Sequence, residues 1–226
     1  MAEALTLIWA GADDWTGHDS ASPVLGVYGK NLEACIPPPL RKTVRSFIPL
    51  LQGTAEDGKD PARGYLVLDW FIRAYVAAWL RLVPELVAVA DKLAGLPAIR
   101  GIEDAAVAGC IVRDVAATVE TLSSEAATTA SDETWDIAWV AALDATWAAG
   151  RNPAWAVARG AVRDATVAAA WPTAWAMAQQ AAVLGAGQAD ATLLTARERL
   201  APTVTTLQRS AVVLFGRMIN PAEVVA

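Results

Sequence analysis

Positions 135–179 restrict what this chain can fold into more than any other stretch. Read in fours, the run is Trp135-Asp-Ile-Ala, Trp139-Val-Ala-Ala, Leu143-Asp-Ala-Thr, Trp147-Ala-Ala-Gly, Arg151-Asn-Pro-Ala and Trp155-Ala-Val-Ala, continuing through Arg159, Arg163, Val167, Trp171 and Trp175. A large residue leads each tetrad, and small residues, mostly Ala, fill most of the rest. Four residues turn an α-helix by about 400°, so successive leaders sit about 40° apart on a slowly drifting stripe. The pattern predicts Ala-lined helices in close approach, with indoles filling the gaps between them as an aromatic seam. Gly150-Arg151-Asn152-Pro153 reads as a stop followed by a start: Gly past a helix end, Asn at an N-cap and Pro at the first helical position. Pro172 reads as a second break or kink.

The rest of the chain reads the same way. Met1 to Ala10 is apolar, a short helix or strand, and positions 11–29 carry the Asp, Gly and Pro of a loop. Pro37, Pro38 and Pro39 open a helix through Leu40 to Leu51, with Arg41, Lys42 and Arg45 outward. Asp60-Pro61 is a helix start, Asp as N-cap and Pro behind it. The helix over 61–83 is apolar nearly all round, from Leu66 and Trp70 through Phe71 and Tyr75 to Trp79 and Leu80, which places it centrally. Further helices are expected over 84–93 and 103–123, with 124–130 as a loop. Two more, or one kinked at Pro202, close the chain over 190–200 and 202–219. Alternation of the strand kind occurs at most over Leu5 to Trp9. The expected fold is an all-α, single-domain bundle of about eight or nine helices behind a loop-rich segment at 1–38.

Composition excludes several classes. Of 226 residues, 55% are hydrophobic and ten are Trp, and the formal charge is −6. An acidic balance argues against nucleic acid, whose phosphates need a basic surface. Cys35 and Cys110 lie far apart without a Cys-x-x-Cys pair and read as reduced, buried residues. With no basic stretch leading into an apolar run at the N-terminus, a cytoplasmic setting is expected. Positions 165–189 lack charge, yet their Ala, Thr, Gly and Gln, interrupted by Pro172, argue against a membrane span.

No motif carries recognisable chemistry. The run from Gly53 to Asp60 departs from a phosphate loop at its last position, where Asp60 stands for Ser or Thr and Glu56 and Asp57 add repelling charge. Asp13, Asp14 and Asp19 surround His18, the single histidine; such a group could hold a divalent metal or serve as a base, but it also fits a capped surface turn. Asp69 and Arg73, four apart on the central helix, can pair structurally or fix the polar end of a ligand. Asp132, Asp136, Asp144 and Asp164 with Arg151, Arg159 and Arg163 read as a solvated, ion-paired face or as the rim of an aromatic pocket. No metal site and no cofactor is expected.

Leu68-Asp69-Trp70, the aromatic helix ending Ala78-Trp79-Leu80, the Trp/Ala tetrads and the closing Leu200-Ala-Pro-Thr-Val together resemble a group of actinobacterial proteins. Those carry runs of the type Trp-Asp-Ala-Ala and Arg-Asp-Ala-Ala after a similar helix. The likeness spans roughly 39–219; Trp135-Asp136 keeps the pairing and Trp139-Val140 does not. It supports helices and implies no reaction.

The functional expectation rests on the indoles. Buried Trp needs a partner for its N–H, and Ala-rich helices offer few. Trp135, Trp139 and Trp147, with Asp136, and Trp70 and Trp79, with Asp69 and Arg73, are therefore candidates to line a groove for a hydrophobic small molecule or a partner protein. The alternatives are a cofactor-free cyclase or isomerase using Asp69, or Asp14 and His18, as acid or base, and a homo-oligomer joined through Ala faces.

Overall fold

The computed structural model describes residues 21–161, 165–187 and 192–221, and every element in it is helical. The order is α1 (Pro23–Cys35), α2 (Pro38–Ser46), a 3₁₀ turn (Ile48–Leu51), α3 (Asp60–Trp70), a π-helical stretch (Phe71–Val76), α4 (Ala77–Leu80), a 3₁₀ turn (Pro84–Leu86), α5 (Val87–Ala94), α6 (Ile102–Thr129), α7 (Asp132–Thr146), a second π stretch (Trp147–Arg151), α8 (Asn152–Ala161), α9 (Ala165–Ala186) and α10 (Leu193–Ile219). The first π stretch joins α3 to α4 in one continuous helix and the second joins α7 to α8 across a kink at Gly150, which makes eight helical rods among the described residues. No described helix is long and apolar enough to cross a membrane.

The rod from α3 to α4 is the centre. Phe71, Ile72, Val76, Trp79 and Leu80 have no exposed surface. Tyr75 stacks on Phe71 with ring centroids 4.9 Å apart and meets Trp79 edge to face. Phe71 also lies 4.5 Å from the Trp171 ring, so the aromatic core is shared between this rod and α9. Around it, α9 packs along α6 and α7, α8 packs on α1, and α10 crosses α7 and the second π stretch. The contacts are close because the residues are small. A Cβ on Gly109 of α6 would come within 3.3 Å of the Ala170 methyl on α9.

Several expectations require correction. Positions 23–29 are not loop: Ser22 caps α1, its hydroxyl accepting from the Leu25 N–H, and Pro23 takes the first turn. Asp60 is not an N-cap. It is the first residue of α3, and its carboxylate instead accepts from the Ser22 hydroxyl and the Arg63 guanidinium. The segment 124–129 is not a loop but the last turns of α6. Pro172 and Pro202 lie inside α9 and α10 and break neither. The neighbouring rods hold those helices in place, outweighing the one backbone hydrogen bond each proline removes. Cys110 is exposed rather than buried, while Cys35 is mostly enclosed. The segments 1–20 and 188–191, with Asp13, Asp14, His18 and Asp19, lie outside the described residues.

One clamp was not foreseen. Arg63 has no exposed surface, yet its guanidinium donates to Asp57 Oδ1 at 2.8 Å and Oδ2 at 2.5 Å, to Asp60 Oδ1 at 2.8 Å, and through Nε to the Met218 carbonyl at 3.0 Å. It ties the start of α3 to the end of α10, filling the planar fork of donors that only Arg supplies. Burial alone would pull its pKa down, but the two carboxylates outweigh this and raise it.

Candidate functional site

On α7 the tetrad splits into two faces. The Ala positions point inward: Ala138, Ala141, Ala142 and Ala145 are all buried, against α9 and α10. Their burial within one molecule leaves none of these methyl faces for self-association. The leaders point outward. Trp139, Leu143 and Trp147 are 43%, 43% and 53% exposed. The indoles therefore do not fill the gaps between rods, as the sequence suggested; methyl groups set that spacing, and most of the tetrad indoles lie along its outer edge. Trp171 is fully in the core, and Trp135 and Trp175 are half-buried against it, Trp175 stacking on Phe71.

The outward indoles are not isolated. Trp135 and Trp139 line a cleft of about 300 Å³ with Ser123 and Ala127 of α6 and Ala176 and Gln179 of α9. Trp135 also borders a second cleft, of about 500 Å³, between Ala126 and Thr129 of α6 and Val183 and Gly187 near the end of α9. On the other side, Trp147, Arg151, Asn152, Trp155, Pro172 and Trp175 enclose a third, of about 380 Å³. The clefts follow one another along α9. Gln179 links two of them, its carbonyl oxygen accepting from the Thr146 hydroxyl at 2.9 Å and from Arg151 Nη1 at 3.4 Å.

The third cleft is the most developed. Trp155 and Trp175 meet with ring centroids 5.5 Å apart, tilted by 58°. The Arg151 guanidinium lies over Trp175, its carbon 3.8 Å from the ring centroid, the geometry of a cation–π pair. No carboxylate bridges to Arg151 among the described residues, and its Nε and the Gln179 Nε2 are buried with no hydrogen-bond partner. Desolvation of the guanidinium lowers its pKa, and the Tyr75 hydroxyl opposes this. Gly150 adopts φ 102° inside the π stretch, so the chain departs from the α-helical path one residue before Arg151, whose guanidinium lies over Trp175 of α9.

The remaining predicted residues are elsewhere. Trp79 has no exposed surface and Trp70 is 7% exposed, its indole N–H donating to the Ser210 hydroxyl at 2.9 Å; both belong to the core and do not reach the clefts. Asp69 and Arg73 pair at 2.9 Å, and Asp69 also accepts the Ile99 N–H at 2.9 Å. Asp69, without Arg73, lines a separate cleft of about 350 Å³ with Tyr65, Arg100 and Arg217. Asp136 is exposed on α7. Asp144 forms an ion pair with Arg197 across to α10, and Asp132 is exposed. The side chains of Arg159, Arg163 and Asp164 lie outside the described residues. The tetrads already mark Trp155 and Trp175 as leading indoles and Arg151 as the possible rim of an aromatic pocket; what they do not show is that these three meet in one cleft, and Gln179 carries no sequence signal at all. Among the described residues no group of His, Cys, Asp and Glu is arranged to hold a metal ion.

Compared with protein-family models, with curated proteins and with solved structures, the chain matches none.

Proposed function

We propose that this protein is a non-enzymatic binding protein that holds a hydrophobic small molecule in the Trp-lined groove along α9, in a sequestering or protective role. The observation that carries this is the exposure of Trp139, Trp147 and Trp155 on the walls of consecutive clefts. Large indoles held half in water are costly unless something covers them, and contiguous apolar surface of this kind marks interaction sites. Clefts of about 300–500 Å³ match small molecules better than one broad, flat protein face.

A cyclase or isomerase reading is less well supported. Asp69 accepts from Arg73 and the Ile99 N–H through Oδ1 at a cleft separate from the indoles, so it does not face a substrate held in the groove. Two free thiols favour a reducing, cytoplasmic setting.

The test is titration with 1-aminoanthracene, a flat, neutral, fluorescent probe. Binding in the groove quenches Trp emission and brightens the probe. A Trp139→Ala/Trp147→Ala double variant keeps its helical circular dichroism and loses the response. An unchanged response in that variant, or none in the wild type, sinks the reading.

A further inference from the structure

The third cleft differs from the other two in carrying a charge. Its lining holds three indoles, a proline and an amide, and the one formal charge among them is the Arg151 guanidinium. That guanidinium is partly withdrawn from water, stacked on Trp175 and, among the described residues, hydrogen-bonded only through a long contact to an amide oxygen. Elsewhere the molecule treats its enclosed arginine differently: Arg63 is given two carboxylates and a carbonyl. A desolvated cation without a counter-ion is unfavourable, and an anion arriving in the cleft removes that cost. A net charge of −6 makes local attraction by Arg151, and not the field of the whole molecule, the source of any anion selectivity.

We propose that the cleft between Trp147, Trp155 and Trp175 takes a planar aromatic carboxylate, its ring against the indoles and its anionic end on Arg151. This rests on the groove reading above and names the ligand class. The geometry favours it over a neutral hydrophobe because Arg presents a planar fork of N–H donors matched to a carboxylate, while Trp faces match a flat ring. It favours it over a cationic ligand because Arg151 already occupies the Trp175 face and would repel a second cation. A volume of about 380 Å³ accommodates a bicyclic ring with its carboxylate.

The experiment compares 1-naphthoate with its neutral isostere 1-naphthamide, using calorimetry and the indole N–H resonances of the full chain. Naphthoate is expected to move the Trp147, Trp155 and Trp175 signals and to bind about tenfold or more tighter than the amide, the scale of a single charge-assisted contact. Its affinity falls with added salt while that of the amide does not. Arg151→Gln brings naphthoate affinity down to that of the amide in the same variant; if that variant does not fold, the salt dependence in the wild type decides. Equal affinities, or amide binding without naphthoate binding, overturn the anion assignment and leave the groove standing. If neither probe moves those three signals, the groove reading falls with it.

Discussion

Gly150 and Trp70 meet where the second π stretch crosses the central rod: a Cβ on Gly150 would stand 3.3 Å from Cη2 of the Trp70 ring. The same glycine holds φ at 102°, a region that L side chains rarely adopt. Position 150 therefore rejects any side chain on two independent grounds, backbone strain and contact with a buried indole. Gly150→Ala is expected to lower stability by roughly 1–3 kcal/mol. Denaturant unfolding followed by circular dichroism measures it; a loss of less than about 0.5 kcal/mol would mean that the turn relaxes to an ordinary helix without consequence.

The two faces of α7 predict opposite outcomes for substitution. Trp139 is 43% exposed and Trp79 not at all. Trp139→Ala should cost under about 1 kcal/mol, as at other surface positions, whereas Trp79→Ala should cost roughly 3–5 kcal/mol. In the other direction, Ala142→Leu should destabilise by about 1–3 kcal/mol, because methyl groups set the spacing between α7 and its neighbours. Thermal denaturation of the three variants is sufficient. If Trp139→Ala proved as damaging as Trp79→Ala, the exposed indoles would be structural.

Much of this was legible in the tetrads and some was not. Helical class, a central aromatic rod and a disturbance at Gly150 follow from periodicity, an all-apolar helix face and a Gly-x-Asn-Pro run. Which face of the tetrad turned inward did not. Indoles bury more apolar area than methyl groups, so the local rule favours Trp inside. The close approach of the end of α9, where a Cβ on Gly187 would stand 3.6 Å from the Ala138 methyl of α7, reverses that preference by leaving no room for a ring. The prolines at 172 and 202 misled for a related reason: their flanking sequence cannot show that neighbouring rods hold the helix together. The role of Arg63 depends on a carbonyl 155 residues away, which no local pattern contains.

The Arg63 clamp makes stability fall in acid. Hydrogen bonding from Arg63 holds the Asp57 carboxyl below its ordinary value, against a smaller opposing effect of burial. A carboxylate with a depressed folded pKa contributes fully above its unfolded value, near pH 4, and loses that contribution as pH falls through the folded value. Unfolding free energy should therefore decline below about pH 4. Arg63→Met should flatten this limb and cost roughly 3–5 kcal/mol at neutral pH, because it strands two carboxylates. A slope unchanged in the variant would show that other acids govern it.

Three buried acids predict a matching loss in alkali. Burial pushes the Cys35 thiol up to about 12, and it raises the Tyr28 and Tyr75 phenols as well. Each neutral form is the one the fold stabilises. The phenols also donate to the Ala211 carbonyl at 3.3 Å and the Thr146 carbonyl at 2.8 Å. A raised folded pKa leaves the contribution intact below the unfolded value and removes it as pH rises towards the folded one, here from about pH 9 upwards. Helix loss and the appearance of tyrosinate from Tyr28 and Tyr75 should coincide in a pH titration. At neutral pH a thiol reagent should modify exposed Cys110 quickly and Cys35 only after denaturant is added; two equally fast thiols would contradict the burial.

The π stretch at Phe71–Val76 also bears on how the chain tolerates length changes. A wide turn carries about one residue more than an α-turn over the same rise. Deleting a single codon within 71–76 would let the wide turn close to an ordinary α-turn with the two halves of the rod still in phase, whereas the same deletion in the regular turns of α3 would rotate everything beyond it by about 100°. In that second case Trp79 would turn out of the core it now fills, so the surplus residue is slack that lets the central rod lose one position here without losing its inward face.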